Sequence, residues 1–294
     1  MELSEQKKYA QLLIQAVNLA EGQNLIVRME PVNWPFGLMV AEAAYRAGAR
    51  YVRFDAEHVG VHKARVQFSR EAYLEYVPSD RAITQQHYVD EGWALISIKS
   101  PDDPDALADL DAARNGTVHR SRALADRPFK AAVQADRIQW LVASLPSPRW
   151  AAKVTGKDAG DQAVDELWTA MKPLLRMDRD DPIAAWREHA DALATRCSTL
   201  NELQLESLHF TGPGTDLRVG LLRESVWDGG ASEGPGGRWF MPNLPTEEVF
   251  TSPDARRTQG RVTVTRPVMV QQKPVRGAWF EFRDGEVVDF GAEE

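Results

Sequence analysis

Two adjacent carboxylates, Glu247 and Glu248, sit in the run P-N-L-P-T-E-E-V-F-T-S-P-D at 242–254. Carboxylate oxygens are the normal ligands of hard divalent cations, and a ligating loop has to hold them still. Pro242, Pro245 and Pro253 favour stiffness, because each fixes its own φ and pushes the preceding residue toward extended geometry. A helix is therefore not expected here. If 247–251 runs as a short strand, the two-residue period sends Glu247 and Glu248 to opposite faces, and only one of them faces a given site. A solvated pair in a surface loop is the alternative, since exposed carboxylates are the common case. Asp216 and Asp228 offer further oxygen ligands in the same half of the chain, and spacing does not choose among the four.

Other chemistry finds less support. His58 and His62 stand at i, i+4 beside Glu57, but Gly60 between them argues against a helix, and Glu does not follow the first His as it does in the zinc-protease motif. His87, His119, His189 and His209 are isolated in sequence and read as surface or packed side chains. Gly212-Pro213-Gly214, Gly229-Gly230 and Gly236-Gly237 lack the strand-to-helix pattern of a phosphate cradle and read as turns. No serine lies in a G-x-S-x-G elbow. Trp150, Trp168 and Trp186 read as packing residues.

Composition sets the class. With 294 residues, 43% hydrophobic and 27% charged, the chain is an ordinary globular one long enough for two domains. Its single cysteine, Cys197, excludes an internal disulfide or a multi-cysteine metal centre and reads as a buried thiol in a helix. The absence of an apolar leader or spanning segment points to a cytoplasmic protein with no membrane partner. A net charge of −8, with dispersed Lys and Arg, disfavours a nucleic-acid partner.

The elements that must position the acidic run divide into two textures. The first is α/β. Ser4 is a plausible cap for a helix whose apolar face is Tyr9, Leu12, Leu13, Ala16 and Val17. Leu25–Met29, a helix over Pro35–Ala47, and Tyr51–Phe54 form a βαβ unit. Trp93–Ile98 and Trp140–Ala143 add buried strands, with helices over 105–113 and 121–138 between them, so a mostly parallel sheet flanked by helices is expected. Helices over 161–171, ended or kinked by Pro173, and 182–195 close this part. Beyond it the chain turns β-rich, with strands at 217–222, 261–266, 278–282 and 286–290 and a tight Asp284-Gly285 turn between the last two. The expected domains are 1–197, an N-terminal α/β domain, and 198–294, an incomplete β-rich (α+β) domain.

Three runs carry a resemblance: G-P-G-T-D-L-R-V-G-L at 212–221, W-D-G-G at 227–230, and P-N-L-P-T-E-E-V-F-T-S-P at 242–253. Together they resemble the aminopeptidase T/aminopeptidase S family of dinuclear metalloaminopeptidases, the thermophilic metalloprotease type. Looser similarity covers nearly the whole chain, including E-A-A-Y-R-A-G-A at 42–49, D-D-P-I-A-A-W at 180–186 and L-N-E at 200–202. The resemblance implies an enzyme that removes N-terminal residues from peptide substrates with two divalent ions, zinc, cobalt or magnesium, activating a shared water. It places a metal ligand at Glu248, with Glu247 its neighbour in a structural or supporting role, and it implies a homodimer for the complete enzyme. The family's other ligands, a Glu, two His and an Asp, and its catalytic-site Tyr have no counterpart among these residues. Residues 198–294 are accordingly expected to be the N-terminal part of a truncated catalytic domain, with no catalytic residue in this chain, no bound metal and no activity. A non-catalytic interaction or regulatory module derived from the same fold is the alternative.

Overall fold

The computed structural model describes residues 1–270 and 273–293. In chain order the elements are α1 (Leu3–Ala16), β1 (Asn24–Met29), α2 (Trp34–Arg46), β2 (Tyr51–Ala56), α3 (Val59–Phe68), α4 (Ser79–Asp90), β3 (Ala94–Lys99), α5 (Ala112–Ala125), α6 (Arg127–Gln134), β4 (Trp140–Ser144), α7 (Pro148–Thr155), α8 (Asp161–Leu174) and α9 (Pro182–Glu202). There follow β5 (Ser207–Gly212), β6 (Thr215–Leu221), β7 (Ser232–Gly234), β8 (Arg238–Phe240), β9 (Asn243–Leu244), β10 (Pro253–Thr263), β11 (Val268–Val270), β12 (Lys273–Val275), β13 (Trp279–Arg283) and β14 (Glu286–Gly291). By packing they form two compact units, Met1–His189 with Ala231–Thr246, and Ala190–Gly230 with Glu247–Glu294.

In the first unit a parallel sheet runs β2-β1-β3-β4-β9. Its inner strands β1 and β3 are nearly fully buried and apolar because helices cover both faces, whereas the edge strand β2 exposes Tyr51 and Arg53. Ile26 and Leu95 face Tyr88 and Val89 of α4 and Phe129 and Ala132 of α6. The period of two then sends Leu25, Val27, Ala94 and Ile96, none above 0% exposed, to the opposite face. There Tyr9 of α1 stacks on Phe36 of α2 at 5.5 Å and meets Trp168 of α8 at 5.4 Å. The chain winds one way from β1 to β2 and the other way to β3, so β1 and β3 flank a topological switch point.

Several local expectations differ from the structure. Helix α1 starts at Leu3, with Glu2 rather than Ser4 in the capping position. The helix expected over 105–113 is turns, and α5 begins after Asp111, whose carboxylate accepts from the Arg114 N–H at 2.8 Å. The helix expected over 121–138 divides at Asp126, where Pro128 opens α6 in the position that spares its missing donor. Pro173 lies inside the last turn of α8 and does not stop it short of Leu174.

Asp126 joins these helices. Its burial opposes ionisation, but the Arg81 guanidinium, at 2.6 and 3.0 Å, the Gln85 amide and the Arg122 charge outweigh it and hold the carboxyl below its ordinary range. A depressed folded-state value stabilises the fold above the unfolded carboxyl range and loses that contribution as pH falls through the folded value. The urea midpoint of the wild type should therefore fall more steeply than that of Asp126→Asn as the pH is lowered from about 6 to about 3. At neutral pH the variant should be the less stable, because Arg81 loses its partner.

In the second unit the antiparallel order is β14-β13-β10-β6-β5. The Asp284-Gly285 turn is as expected: φ values of 50° and 82° at its two central residues suit the twist of the flanking strands. Gly285 is obligatory there, since a Cβ would sit 1.6 Å from the Ala255 carbonyl oxygen.

Candidate functional site

The acidic run belongs to both units. Its P-N-L-P portion supplies β9, where Asn243 and Leu244 pair with Val142 and Ala143 as the sheet's edge strand, and the Leu244-Pro245 peptide is cis. Thr246 is buried, and its carbonyl accepts a hydrogen bond from His189 Nε2 at 2.9 Å. A carbonyl can only accept, so the proton of His189 lies on Nε2. Its ring stands edge-on to the buried Trp186 at 5.7 Å.

From Glu247 the chain is in the second unit. The short strand entertained over 247–251 does not form. Only Phe250 makes a β-bridge, exchanging main-chain hydrogen bonds of 2.8 and 2.9 Å with Asp228. Both Glu247 and Glu248 are exposed, and strand alternation does not set their directions. Thr251 Oγ1 donates to the Val226 carbonyl at 2.9 Å, and the Ser252 carbonyl accepts from the Leu222 N–H at 3.2 Å. Gly229 lies under the Glu248 carbonyl, where a Cβ would come within 2.5 Å of the oxygen and 3.0 Å of Val249 Cα. The loop is braced by contacts rather than by prolines alone. Glu248 itself makes no side-chain hydrogen bond or ion pair among the described residues.

The brace is in turn held from α9. Asn201 Oδ1 accepts the Trp227 N–H at 2.7 Å, and its Nδ2 donates to the Trp227 carbonyl at 3.1 Å. Thus L-N-E, W-D-G-G and T-E-E-V-F-T, dispersed in sequence, meet in one assembly. Replacing Asn201 with alanine leaves two main-chain groups without their side-chain partner and should cost about 1–3 kcal/mol, measurable by urea unfolding. A cleft of about 540 Å³ is walled by Leu200, Asn201, Leu222, Val226, Trp227 and Arg257 among others and does not include Glu248.

Of the other acids, Asp228 belongs to this brace through its main chain, and the rest, with the histidines, are placed elsewhere. Asp216 on β6 pairs with His209 at 2.7 Å. Asp228 Oδ1 accepts from the Gly229 N–H at 2.8 Å. Cys197 is a buried thiol in α9, pushed up by its burial and by the charge of Asp228. His62 does lie on a helix, contrary to the argument from Gly60, and His58 stands at its N-cap in extended geometry. His58 caps α3 by accepting the Gly60 N–H at 2.9 Å, so Gly60 falls in the first turn, where a glycine interrupts little. The two do not converge on one point, since His62 bonds Asn115 at 2.8 Å and His58 leans toward Asp102 at 3.7 Å. Among the described residues, no three His, Cys, Asp or Glu side chains gather in a way that could hold a metal ion. Glu248 alone does not fit a metal pair, which requires several protein ligands.

A parallel α/β unit and an antiparallel unit bearing a braced acidic loop define a two-unit α/β protein, and its likeness extends to a solved structure. Wild-type AmpT from Thermus thermophilus matches with a TM-score of 0.90 at 33% identity, over 99% of this chain and 72% of that one. The chain belongs to the thermophilic metalloprotease (M29) family, whose model matches residues 3–294. Aminopeptidase 2 of Geobacillus stearothermophilus is 38% identical over 292 residues, 99% of this chain and 70% of that protein. Aminopeptidase T of Thermus aquaticus is 35% identical over 288 residues, 98% of this chain and 70% of that protein. By family the protein is an enzyme, a peptidase. Among the described residues no helix is long and apolar enough to cross a membrane.

Proposed function

We propose that the protein is a metal-dependent aminopeptidase acting on peptide N-termini in the cytoplasm. In this reading Glu248 is one of the carboxylates that hold a pair of divalent ions, zinc, cobalt or magnesium, and Glu247 has a supporting role. Residues 1–197 are the N-terminal α/β domain and 198–294 the N-terminal part of the catalytic domain, with the complete enzyme a homodimer. The observation that carries the reading is an exposed carboxylate without a side-chain partner among the described residues, on a loop tied down on the Asp228–Gly229 segment. Such a carboxylate is held ready for a cation without first having to break a salt bridge.

The 294 residues alone are proposed to be inactive, because one carboxylate cannot replace the hydration of two divalent ions. Leucine p-nitroanilide incubated with this chain and added zinc or cobalt should release no nitroaniline above the buffer rate. Metal-dependent turnover by the chain would sink this part of the proposal.

A further inference from the structure

Within the first unit a cavity of about 350 Å³ opens at the carboxyl end of β2, and Arg65, Arg81, Arg122, His58 and His62 stand in its wall. Glu57 is the one carboxylate lining it. It lies at the carboxyl edge of a doubly wound parallel sheet, the edge at which such sheets bind ligands. His58 also reaches across to Asp102, which follows β3 and whose N–H donates to Glu30, after β1, at 3.2 Å.

The ion pairs show how the basic groups are used. Arg81 forks onto Asp126 through Nε and Nη2, and its Nη1 reaches only Glu57, at 3.5 Å. Arg122 Nη2 meets both oxygens of Glu57, at 2.6 and 2.7 Å, while its Nη1 makes no hydrogen bond among the described residues. Arg65 donates through Nη2 to the carbonyls of Tyr73, Leu74 and Tyr76 and has no carboxylate partner among the described residues. Three guanidinium groups thus share the cavity wall with one carboxylate, and that carboxylate is 51% exposed, unlike the 10% of Asp126. Asp126 is structural, whereas Glu57 can swing into water at little cost.

We propose that the cavity binds a small oxyanion, a carboxylate or phosphate ligand, which takes the place of the Glu57 carboxylate between Arg81 and Arg122. Planar forked donors suit both groups. Glu57 then acts as a resident competitor, and removing its charge should strengthen binding where a purely structural ion pair would give no such gain.

The test is calorimetric titration of the 294-residue chain with inorganic phosphate and, separately, succinate, with chloride holding the ionic strength constant. Saturable binding of either probe is expected, with the tighter probe identifying the ligand class. Glu57→Gln should tighten it severalfold, and Arg122→Gln should weaken it about tenfold or more, as loss of a charge-assisted hydrogen bond does. Arg122→Lys, which keeps the charge without the fork, should fall between, and thermal melts followed by circular dichroism verify that each variant is folded. The proposal is overturned if neither probe binds wild type or Glu57→Gln beyond the chloride control. It is equally overturned if folded Arg122→Gln binds as well as wild type.

Discussion

Replacing Trp186 with alanine should destabilise the first unit by about 3–5 kcal/mol, the cost of emptying a fully buried tryptophan site. Trp186 is 0% exposed, its indole N–H donates to the Leu175 carbonyl at 2.9 Å, and the Arg176 guanidinium lies 4.1 Å above its ring. The substitution removes all of these and the ring that meets His189, whose Nε2 holds Thr246. Urea unfolding followed by far-ultraviolet circular dichroism should show a lower midpoint. Trp186→Phe should recover part of the loss, because a smaller aromatic ring refills some of the volume. A midpoint unchanged in Trp186→Ala would mean that α9 is not docked as described.

The second large effect concerns the brace under the acidic loop. In Gly229→Ala the new methyl would stand 2.5 Å from the Glu248 carbonyl oxygen and 3.0 Å from Val249 Cα. Neither neighbour is the far end of a flexible side chain, so the main chain itself must move. Overpacking of this kind costs about 1–3 kcal/mol, and here it also displaces the residue proposed as a ligand. Amide resonances of 247–251 and 226–230 should shift together while those of the parallel sheet stay in place. Unchanged resonances around Glu248 would show that Gly229 does not brace it.

Where local rules and tertiary packing agree, the fold was readable in advance. Leu25–Met29 and Trp140–Ala143 are apolar strands packed under helices, Tyr51–Phe54 forms the more exposed edge strand beside β1, and Asp284-Gly285 is a turn set by two residues. What escaped reading depends on partners far along the chain. Asn243–Leu244 is too short to show a period, and it becomes a strand only because β4 offers it an edge. Gly60 looked like a helix breaker until the His58 side chain capped the turn around it. The Glu247–Glu248 loop carried its prolines in view, but its brace comes from Asp228, Gly229 and, through Trp227, Asn201. No local pattern marks Asn201, although the L-N-E similarity at 200–202 covers it. The likeness of the three motif runs, rather than residue spacing, singled out Glu248, and two of them, W-D-G-G and T-E-E-V-F-T, meet with L-N-E around Trp227–Gly230.

The role of Glu248 is tested most directly in a hybrid in which these 294 residues replace the matched 70% of Aminopeptidase 2. The hybrid should hydrolyse leucine p-nitroanilide in a metal-dependent way. Within it, Glu248→Gln should lose metal and activity by more than the roughly 10–100-fold that loss of an outer hydrogen-bonding partner causes, while Glu247→Gln keeps most of both. A Glu248→Gln hybrid with the metal content and kcat/KM of its parent would contradict the assignment of Glu248 as a ligand.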